Sequence, residues 1–174
     1  MKDKITLNET IREAISIALI QLMKTKSFSE ISISEITRIA GVSRSSFYRN
    51  YDSKEQILIC YIHDLYHNFF HTENILRHFP DQSGLQEFLL PRFRFIKENR
   101  EFFTVLHKNN LLYYIFDEME PDLILLLSGQ NASISKYYLS MFAGSYAATI
   151  RHWIHNDFQE SEEEMAAIFA DYPH

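Results

Sequence analysis

The chain has 174 residues, of which 46% are hydrophobic, and its formal net charge is −6. This size and apolar content suit one or two small domains, and the scarcity of glycine and proline, at four each, favours helices. An acidic chain is a poor general binder of polyanions. The sequence contains no apolar run of about 18 residues, so no membrane-spanning helix is predicted. With a single cysteine the chain cannot form an internal disulfide. We therefore expect an all-α protein of the cytoplasm that does not enter a membrane.

Charge is unevenly distributed along the sequence. Residues 1–55 hold nine Lys and Arg against seven Asp and Glu, which leaves +2. Residues 56–174 hold eight against sixteen, which leaves −8. A locally positive segment on an acidic body can bind phosphate groups while the body faces away from them.

The N-terminal segment is predicted to start with two helices. Apolar residues recur at helical spacing across 7–25, which predicts the first helix. Ser32 and Glu35 have the spacing of a capping box, so the second helix begins near Ile33. It ends at Gly41, because glycine readily adopts the left-handed conformation that closes a helix.

A third, short helix comes directly after this turn, capped by Ser43 and spanning about 44–50. Two short helices joined by Ala-Gly-Val-Ser have the layout of a helix-turn-helix, which places its second helix in the major groove of DNA. Phe47 and Tyr51 are four residues apart and should face the core. The side chains left for phosphates and base edges are Arg44, Ser45, Ser46, Tyr48, Arg49 and Asn50.

The rest of the chain is predicted to be helical as well. A long fourth helix spans 54–76, and Lys54 in its first turn is placed for a backbone phosphate. Pro91 should kink the fifth helix or mark a boundary in it. The later helices are predicted at 85–98, 100–108, 111–127, 134–156 and 162–172. We expect the domains to divide into 1–55, a helix-turn-helix domain, and 56–174, a helical regulatory domain.

The stretch ISISEITRIAGVSRSSFYRNYDSKEQIL resembles the DNA-binding signature of the TetR/AcrR family of transcriptional regulators, and the resemblance covers about 7–58. It implies an all-α homodimer in which three N-terminal helices bind a double-stranded DNA operator and the C-terminal helices form a ligand-binding and dimerisation domain. Thr37, Ser45 and Tyr51 depart from the usual residues of the signature. At matching positions the resemblance implies DNA contacts by Ser43, Arg44, Ser45, Ser46, Tyr48, Asn50 and Lys54. Arg49, from the reasoning on exposed residues, and the helix cap Ser32 complete the predicted DNA-binding set.

The last two helices resemble the dimer-forming helices of a subgroup of the same family. Small side chains in the penultimate helix would let a second helix approach closely, so a four-helix interface with two helices from each chain is expected. The residues predicted at this interface are Tyr138, Phe142, Gly144, Ala148, Trp153, Met165 and Phe169.

Other residues could carry chemistry, but ordinary packing explains them better. His63, His67 and His71 recur every four residues and could hold Zn²⁺, but a polar helix face is the simpler interpretation, so we predict no metal and no cofactor. Cys60 has no adjacent cation in sequence and is expected to be a small buried residue. No nucleophile elbow or glycine-rich phosphate loop indicates an enzyme, and no catalytic residue is predicted.

The function expected from these patterns is ligand-responsive, sequence-specific control of transcription. The protein would act as a repressor and bind a palindromic operator as a homodimer, under the control of a small-molecule effector. The alternative is the same fold controlled by a partner protein in place of a small molecule.

Overall fold

The computed structural model describes residues 7–72, 84–118 and 136–171, and every regular element within these ranges is a helix. The first range holds α1 (Leu7–Met23), a 3-10 turn (Phe28–Glu30), α2 (Ile33–Ala40), α3 (Arg44–Tyr48) and α4 (Lys54–Thr72). The other two ranges hold α5 (Leu85–Glu98), α6 (Arg100–Lys108), α7 (113–118), α8 (Lys136–His155) and α9 (Glu162–Asp171). The predicted all-α class is confirmed, and the predicted stretches at 73–76 and 119–127 lie outside the described residues.

The chain forms two compact units, Met1–Leu65 and Tyr66–His174. The division falls inside α4, later than the start of that helix where the sequence places it. The reason is that Ile57, Leu58 and Ile62, on the first turns of α4, are buried and belong to the first unit. One helix therefore supplies residues to both units.

In the first unit, α1 packs on α2 and α2 packs on α3. The apolar stripe of α1 supplies Ile15 and Leu19, and the short helices supply Ile36 and Phe47; all four are at most 1% exposed. Burial of these side chains stabilises helices that are too short to persist in isolation.

In the second unit, α5 packs on α9 and on α6, and α6 packs on α8. Its core is rich in aromatic side chains, among them Phe88, Phe93, Phe103 and Trp153. The helix α5 continues through Pro91, so the alternative that this proline marks a helix boundary is wrong.

The first turn of α9 is held by a cap and by two ion pairs. The backbone N–H of Glu164 donates to Ser161 Oγ at 3.1 Å, and the N–H of Ser161 donates to Glu164 Oε2 at 2.7 Å, which together form a capping box. Lys97 on α5 pairs with Glu162 at 3.0 Å, and Arg94 pairs with Glu163 at 2.8 Å. Glu162 and Glu163 thus face cations of α5 and also lie at the helix N-terminus, where negative charge is favourable.

The connection from α8 to α9 folds back on Trp153. The indole N–H of Trp153 donates to the carbonyl of Glu160 at 3.2 Å, and the ring lies edge-on to Phe158 at 5.1 Å between centroids. Asp157 and Phe158 both have positive φ, 54° and 55°, a conformation that aspartate tolerates but that is unfavourable for the bulky Phe158.

No described helix combines the length and the apolar content that crossing a membrane requires.

Candidate nucleic-acid interface

The start of α2 is fixed by the capping box at Ser32. The N–H of Glu35 donates to Ser32 Oγ at 3.3 Å, and both the N–H and the hydroxyl of Ser32 donate to Glu35 Oε2, at 2.9 and 2.8 Å. Lys26 donates to the other oxygen of Glu35 at 2.6 Å. These bonds, from Lys26 first and then from Ser32, lower the pKa of Glu35 from 4.5 to about 2. The Ser32 side chain is exposed but is occupied by its role as a cap.

The turn between α2 and α3 depends on Gly41. Its φ is +67°, the left-handed conformation predicted from the sequence, and the N–H of Val42 then donates to Thr37 O at 3.0 Å. The Thr37 side chain is itself 5% exposed and donates to Ser34 O at 3.2 Å. The threonine, one of the departures from the family signature, therefore belongs to the hairpin interior.

Ser43 and Ser46 hold the first turn of α3. The N–H of Ser46 donates to Ser43 Oγ at 3.0 Å, which confirms the predicted cap. Ser46 also binds the two polar side chains at the end of the segment: Arg49 Nη2 donates to Ser46 Oγ at 3.0 Å, and Asn50 Nδ2 donates to Ser46 O at 2.8 Å. The guanidinium of Arg49 is therefore fixed in direction, and Asn50 retains its amide oxygen and one N–H for other partners.

The inner side of α3 is anchored by Phe47 and Tyr51, which are 0% and 3% exposed, as predicted. The Tyr51 hydroxyl lies 3.4 Å from Arg12 Nε and 3.5 Å from Ser16 Oγ, both on α1. A phenylalanine at position 51 would make neither contact. The tyrosine thus ties the end of the α3 segment to α1.

The outer side of α3 is polar and open. Arg44, Ser45 and Arg49 are exposed, and Tyr48 is 51% exposed. Within the described residues Arg44 makes no hydrogen bond or ion pair, so its guanidinium can reach a base edge or a phosphate. The arrangement provides two guanidiniums and two hydroxyls on a rigid, capped helix, which is chemistry suited to duplex DNA.

Lys54 has a second role that the sequence did not indicate. Its ammonium donates to the carbonyls of Phe28, Ser29 and Ile31 at 2.6, 3.1 and 3.0 Å, and it lies 4.7 Å from the centroid of the Phe28 ring. All three N–H donors are thereby used inside the first unit. A phosphate contact by Lys54 remains a prediction, and it would require the side chain to leave at least one of these carbonyls.

Arg38 was not among the predicted contacts. It lies in the last turn of α2, its side chain is exposed, and its neighbour Thr37 faces the interior. The signal that could have found it is helical periodicity, because Arg38 lies about 200° around α2 from the buried Ile36 at 100° per residue. It adds a third guanidinium to the helix-turn-helix.

Most of the predicted dimer contacts are core residues of the single chain. Phe142, Trp153, Met165 and Phe169 are at most 5% exposed, and the rings of Phe142 and Phe169 meet at 5.2 Å. Helices of the same chain cover these four side chains, so a contact with a second copy stays a prediction for them. The small residues at 144 and 148 are exposed, and the side chain at 138 lies outside the described residues.

The described side chains include only part of the histidine series on α4. His63 and His67 are exposed, the side chain of His71 is not described, and no group of three metal-ligating residues occurs among the described side chains. Cys60 is half-buried rather than buried.

Comparison with known proteins gives two family matches. Residues 18–59 match the family described as bacterial regulatory proteins, tetR family, and residues 84–172 match a family described as transcriptional regulator C-terminal region. The N-terminal match contains all of α2 and α3, and the C-terminal match runs from α5 through α9.

Named relatives agree with these matches. YxbF of Bacillus subtilis (strain 168), named an uncharacterised HTH-type transcriptional regulator, is 25% identical over 172 residues, which cover 91% of this chain and 43% of that protein. The HTH-type regulator EthR of Mycolicibacterium smegmatis is 44% identical over 55 residues, 31% of this chain and 25% of that protein. The chain thus spans less than half the length of these relatives.

Solved structures share the fold. A TetR transcriptional regulator from Streptococcus agalactiae 2603V superposes with a TM-score of 0.71 at 22% identity, covering 94% of this chain and 93% of that one. The dihydroxyacetone kinase operon activator DhaS gives a TM-score of 0.61 at 20% identity, with 92% of each chain covered.

Proposed function

Because the chain belongs to the TetR family of bacterial transcriptional regulators, and is therefore a DNA-binding regulator with a helix-turn-helix, we propose that it binds a palindromic operator as a homodimer and that a small molecule controls this binding. The observation that carries the proposal is the open polar side of α3, where exposed Arg44 and Arg49 flank Tyr48 on a capped helix. Two such helices in a dimer would enter successive major grooves, with centres roughly 34–36 Å apart or at a longer whole-turn spacing.

The dimer surface that we propose follows the exposed side of α8. Tyr137 and Met141 are 70% and 72% exposed, and Gly144 and Ala148 are also exposed. Successive spacings of four, three and four residues place all of them on one side of the helix. Ile168 on α9 is a further exposed apolar side chain, at 56%. Large exposed apolar side chains beside small ones suit close packing against a second copy.

We propose that α4 carries the response to the effector. A ligand bound in the second unit can act on DNA only if it binds the DNA-competent and the incompetent forms with different affinity. The helix α4 supplies residues to both units and is the continuous element through which such a difference can be transmitted.

We propose repression as the sign of regulation, because a dimer seated on a promoter excludes the polymerase. One protein of the same fold is named an operon activator, so the fold does not decide between repression and activation. The direction of regulation has to be measured for this protein. A reporter gene driven by the recovered operator, with and without the regulator, separates the two directions.

A partner protein is the second proposed source of control. The exposed apolar side chains of α8 and α9 favour it, because they can pack against a different protein as well as against a second copy. Capture from a native lysate, compared with a thermal-shift screen of small molecules, separates the two kinds of control.

The test of DNA binding starts without a known operator. Purified protein is mixed with fragmented DNA of its source genome, bound fragments are sequenced, and affinity for the enriched site is measured by fluorescence anisotropy on a labelled duplex. Arg44→Ala should weaken binding about 5- to 150-fold, the equivalent of about 1–3 kcal/mol for a base-reading arginine. Arg100→Ala, an exposed arginine on α6, is the control and should bind as the wild type does.

Two outcomes would contradict the proposal. One is the recovery of no sequence above background. The other is equal affinity of the wild type and Arg44→Ala for the recovered site.

A further inference from the structure

The guanidinium of Arg49 is held in one direction by two serines of the same segment. Arg49 Nη2 donates to Ser46 Oγ at 3.0 Å, and Ser46 Oγ also accepts from the hydroxyl of Ser43 at 3.0 Å. The oxygen of Ser43 in turn accepts from the backbone N–H of Ser46 at 3.0 Å. A side chain that is fixed before binding loses less conformational entropy when it contacts a ligand. These hydrogen bonds therefore prearrange a cation on an exposed surface.

The helical backbone directs Arg49 away from the core of the first unit. Phe47 is 0% exposed and marks the buried side of α3. Arg49 continues the helical conformation, since its φ and ψ are −77° and −19° and its N–H donates to Ser45 O at 3.2 Å. Two positions along a helix correspond to a rotation of about 200°, so Arg49 projects from the side opposite Phe47. When α3 enters a major groove, this side faces the floor of the groove.

The bond to Ser46 also brings the charged group of Arg49 back towards the start of α3. Ser46 is the third residue of this helix and precedes Arg49 by three positions. In a helix-turn-helix, the first residues of the recognition helix are the ones that contact base edges. Arg49 follows α3 in the sequence, but its guanidinium lies over the part of the helix that reads bases.

The bond to Ser46 leaves Arg49 with one complete pair of parallel donors. A guanidinium offers two such pairs, Nη1 with Nη2 and Nε with Nη2, and Nη2 supplies one N–H to each. Ser46 occupies one N–H of Nη2, so one pair remains. Guanine presents O6 and N7 side by side in the major groove, and one pair of arginine donors matches these two acceptors. The free pair of Arg49 therefore fits a guanine edge on the floor of the groove.

We propose that Arg49 reads one guanine in each half-site of the operator and that Ser46 is the residue that positions it. This inference rests on the proposed operator binding, for which it names one base contact and the side chain that makes it. Ser46 acts through Arg49, so its loss changes the discrimination of one base pair rather than the affinity for DNA in general.

The experiment removes the N7 acceptor of one guanine at a time. Each guanine of the recovered operator is replaced by 7-deazaguanine, symmetrically in both half-sites, and affinity is measured by fluorescence anisotropy. At one symmetric pair, the replacement should weaken binding by the wild type at least about fivefold, because each half-site loses one of the two bonds of a bidentate contact. Arg49→Ala should bind the replaced and the natural operator equally well. Guanines read by other side chains should keep their effect in this variant.

Ser46→Ala tests the positioning role. This variant keeps the Arg49 guanidinium but releases it, so the effect of the same replacement should fall to less than about half of its wild-type value. In the Arg49→Ala background, Ser46→Ala should change the discrimination at this pair no further, as expected of a residue that acts through another. Thr25→Ala is the control, since it removes an exposed hydroxyl of the first unit outside the helix-turn-helix. It should discriminate as the wild type does.

Two results would overturn the assignment of Arg49. One is that no guanine depends on Arg49 for the effect of its N7. The other is that Arg49→Ala weakens binding to all sequences equally and lowers the slope of log affinity against log salt by about 0.9, which identifies a phosphate contact. Discrimination by Ser46→Ala equal to that of the wild type would overturn the positioning role.

The wild type reports separately on the proposed function. If it recovers no operator, the proposed function fails and this inference fails with it. If it recovers an operator in which no guanine depends on Arg49, only this inference fails.

Discussion

At residue scale, Lys54 is the side chain whose surroundings change its expected role. Its ammonium satisfies three carbonyl oxygens at the 3-10 turn that precedes α2. This contact joins the first turn of α4 to the chain between α1 and α2. A cation that is enclosed in this way contributes to the fold of the DNA-binding unit.

Lys54→Met should lower stability through the loss of these three bonds. Methionine keeps the aliphatic stem over Phe28, but the three carbonyls lose their donor, which should cost about 1–3 kcal/mol in the free energy of unfolding. Urea denaturation followed by circular dichroism measures this cost. The slope of log affinity against log salt tests the predicted phosphate contact separately, and Lys24→Met, at an exposed lysine, is the control. A slope smaller by about 0.9 with unchanged stability would assign Lys54 to a phosphate instead.

The hydrogen bonds of the Glu35 carboxylate should stabilise the first unit at neutral pH but not in acid. Its pKa is lowered from 4.5 to about 2, first by the hydrogen bond from Lys26 and then by those from Ser32. Because the folded pKa is the lower one, the stabilisation is complete above about pH 4.5 and is lost as the pH falls towards 2. The Tm of the wild type minus that of Glu35→Gln should be constant above this window and vanish below it. Lys26→Met should show the same window, and a difference that persists at pH 2 would contradict the assignment.

At the scale of elements, the helix-turn-helix arises from a few local rules. Ser32, Gly41 and Ser43 each occupy the cap position that the sequence predicts, because caps depend on bonds between residues at most three or four apart. Such bonds can therefore be predicted from the local sequence. The contacts of Lys54 and Tyr51 join residues 23 to 39 positions apart, and no local pattern signals them.

Gly41→Ala should destabilise the first unit through its backbone alone. An added Cβ would meet nothing within 4 Å, so the cost is that of a left-handed alanine, about 1–2 kcal/mol. Gly144→Ala is the matched control, since Gly144 is helical and also has open space around it. That control should stabilise its helix by about 0.5–1 kcal/mol. Denaturation curves of the two variants should therefore shift in opposite directions, and a shift of Gly41→Ala in the stabilising direction would exclude a strained turn.

The proposed dimer surface could not be predicted from sequence patterns alone. Periodicity marks Phe142 and Phe169 as apolar, but it cannot distinguish a side chain covered by its own chain from one covered by a second copy. The structure separates them by exposure: these two rings face each other, while Met141, one residue away from Phe142 on α8, is 72% exposed.

At the scale of the whole molecule, Met141→Glu should therefore disrupt self-association. A charge placed in the apolar surface of α8 would have to be buried without a partner, so the mass measured by analytical ultracentrifugation should fall from that of a dimer towards the monomer's 20.7 kDa. Operator affinity should fall with it, because two half-sites would no longer be bound by one particle. Ile17→Glu replaces an isoleucine that is 45% exposed on α1 and should leave the mass unchanged. A full dimer of Met141→Glu would exclude this surface.

The packing around Trp153 makes this residue useful as a reporter. It is the only tryptophan in the sequence, it is 1% exposed, and its ring lies between Phe93 and Phe158 at centroid distances of 5.6 and 5.1 Å. Its intrinsic emission is thus a built-in optical probe of the second unit alone. A red shift of that emission on heating marks the unfolding of the second unit. If only the first unit unfolds, the emission should not change.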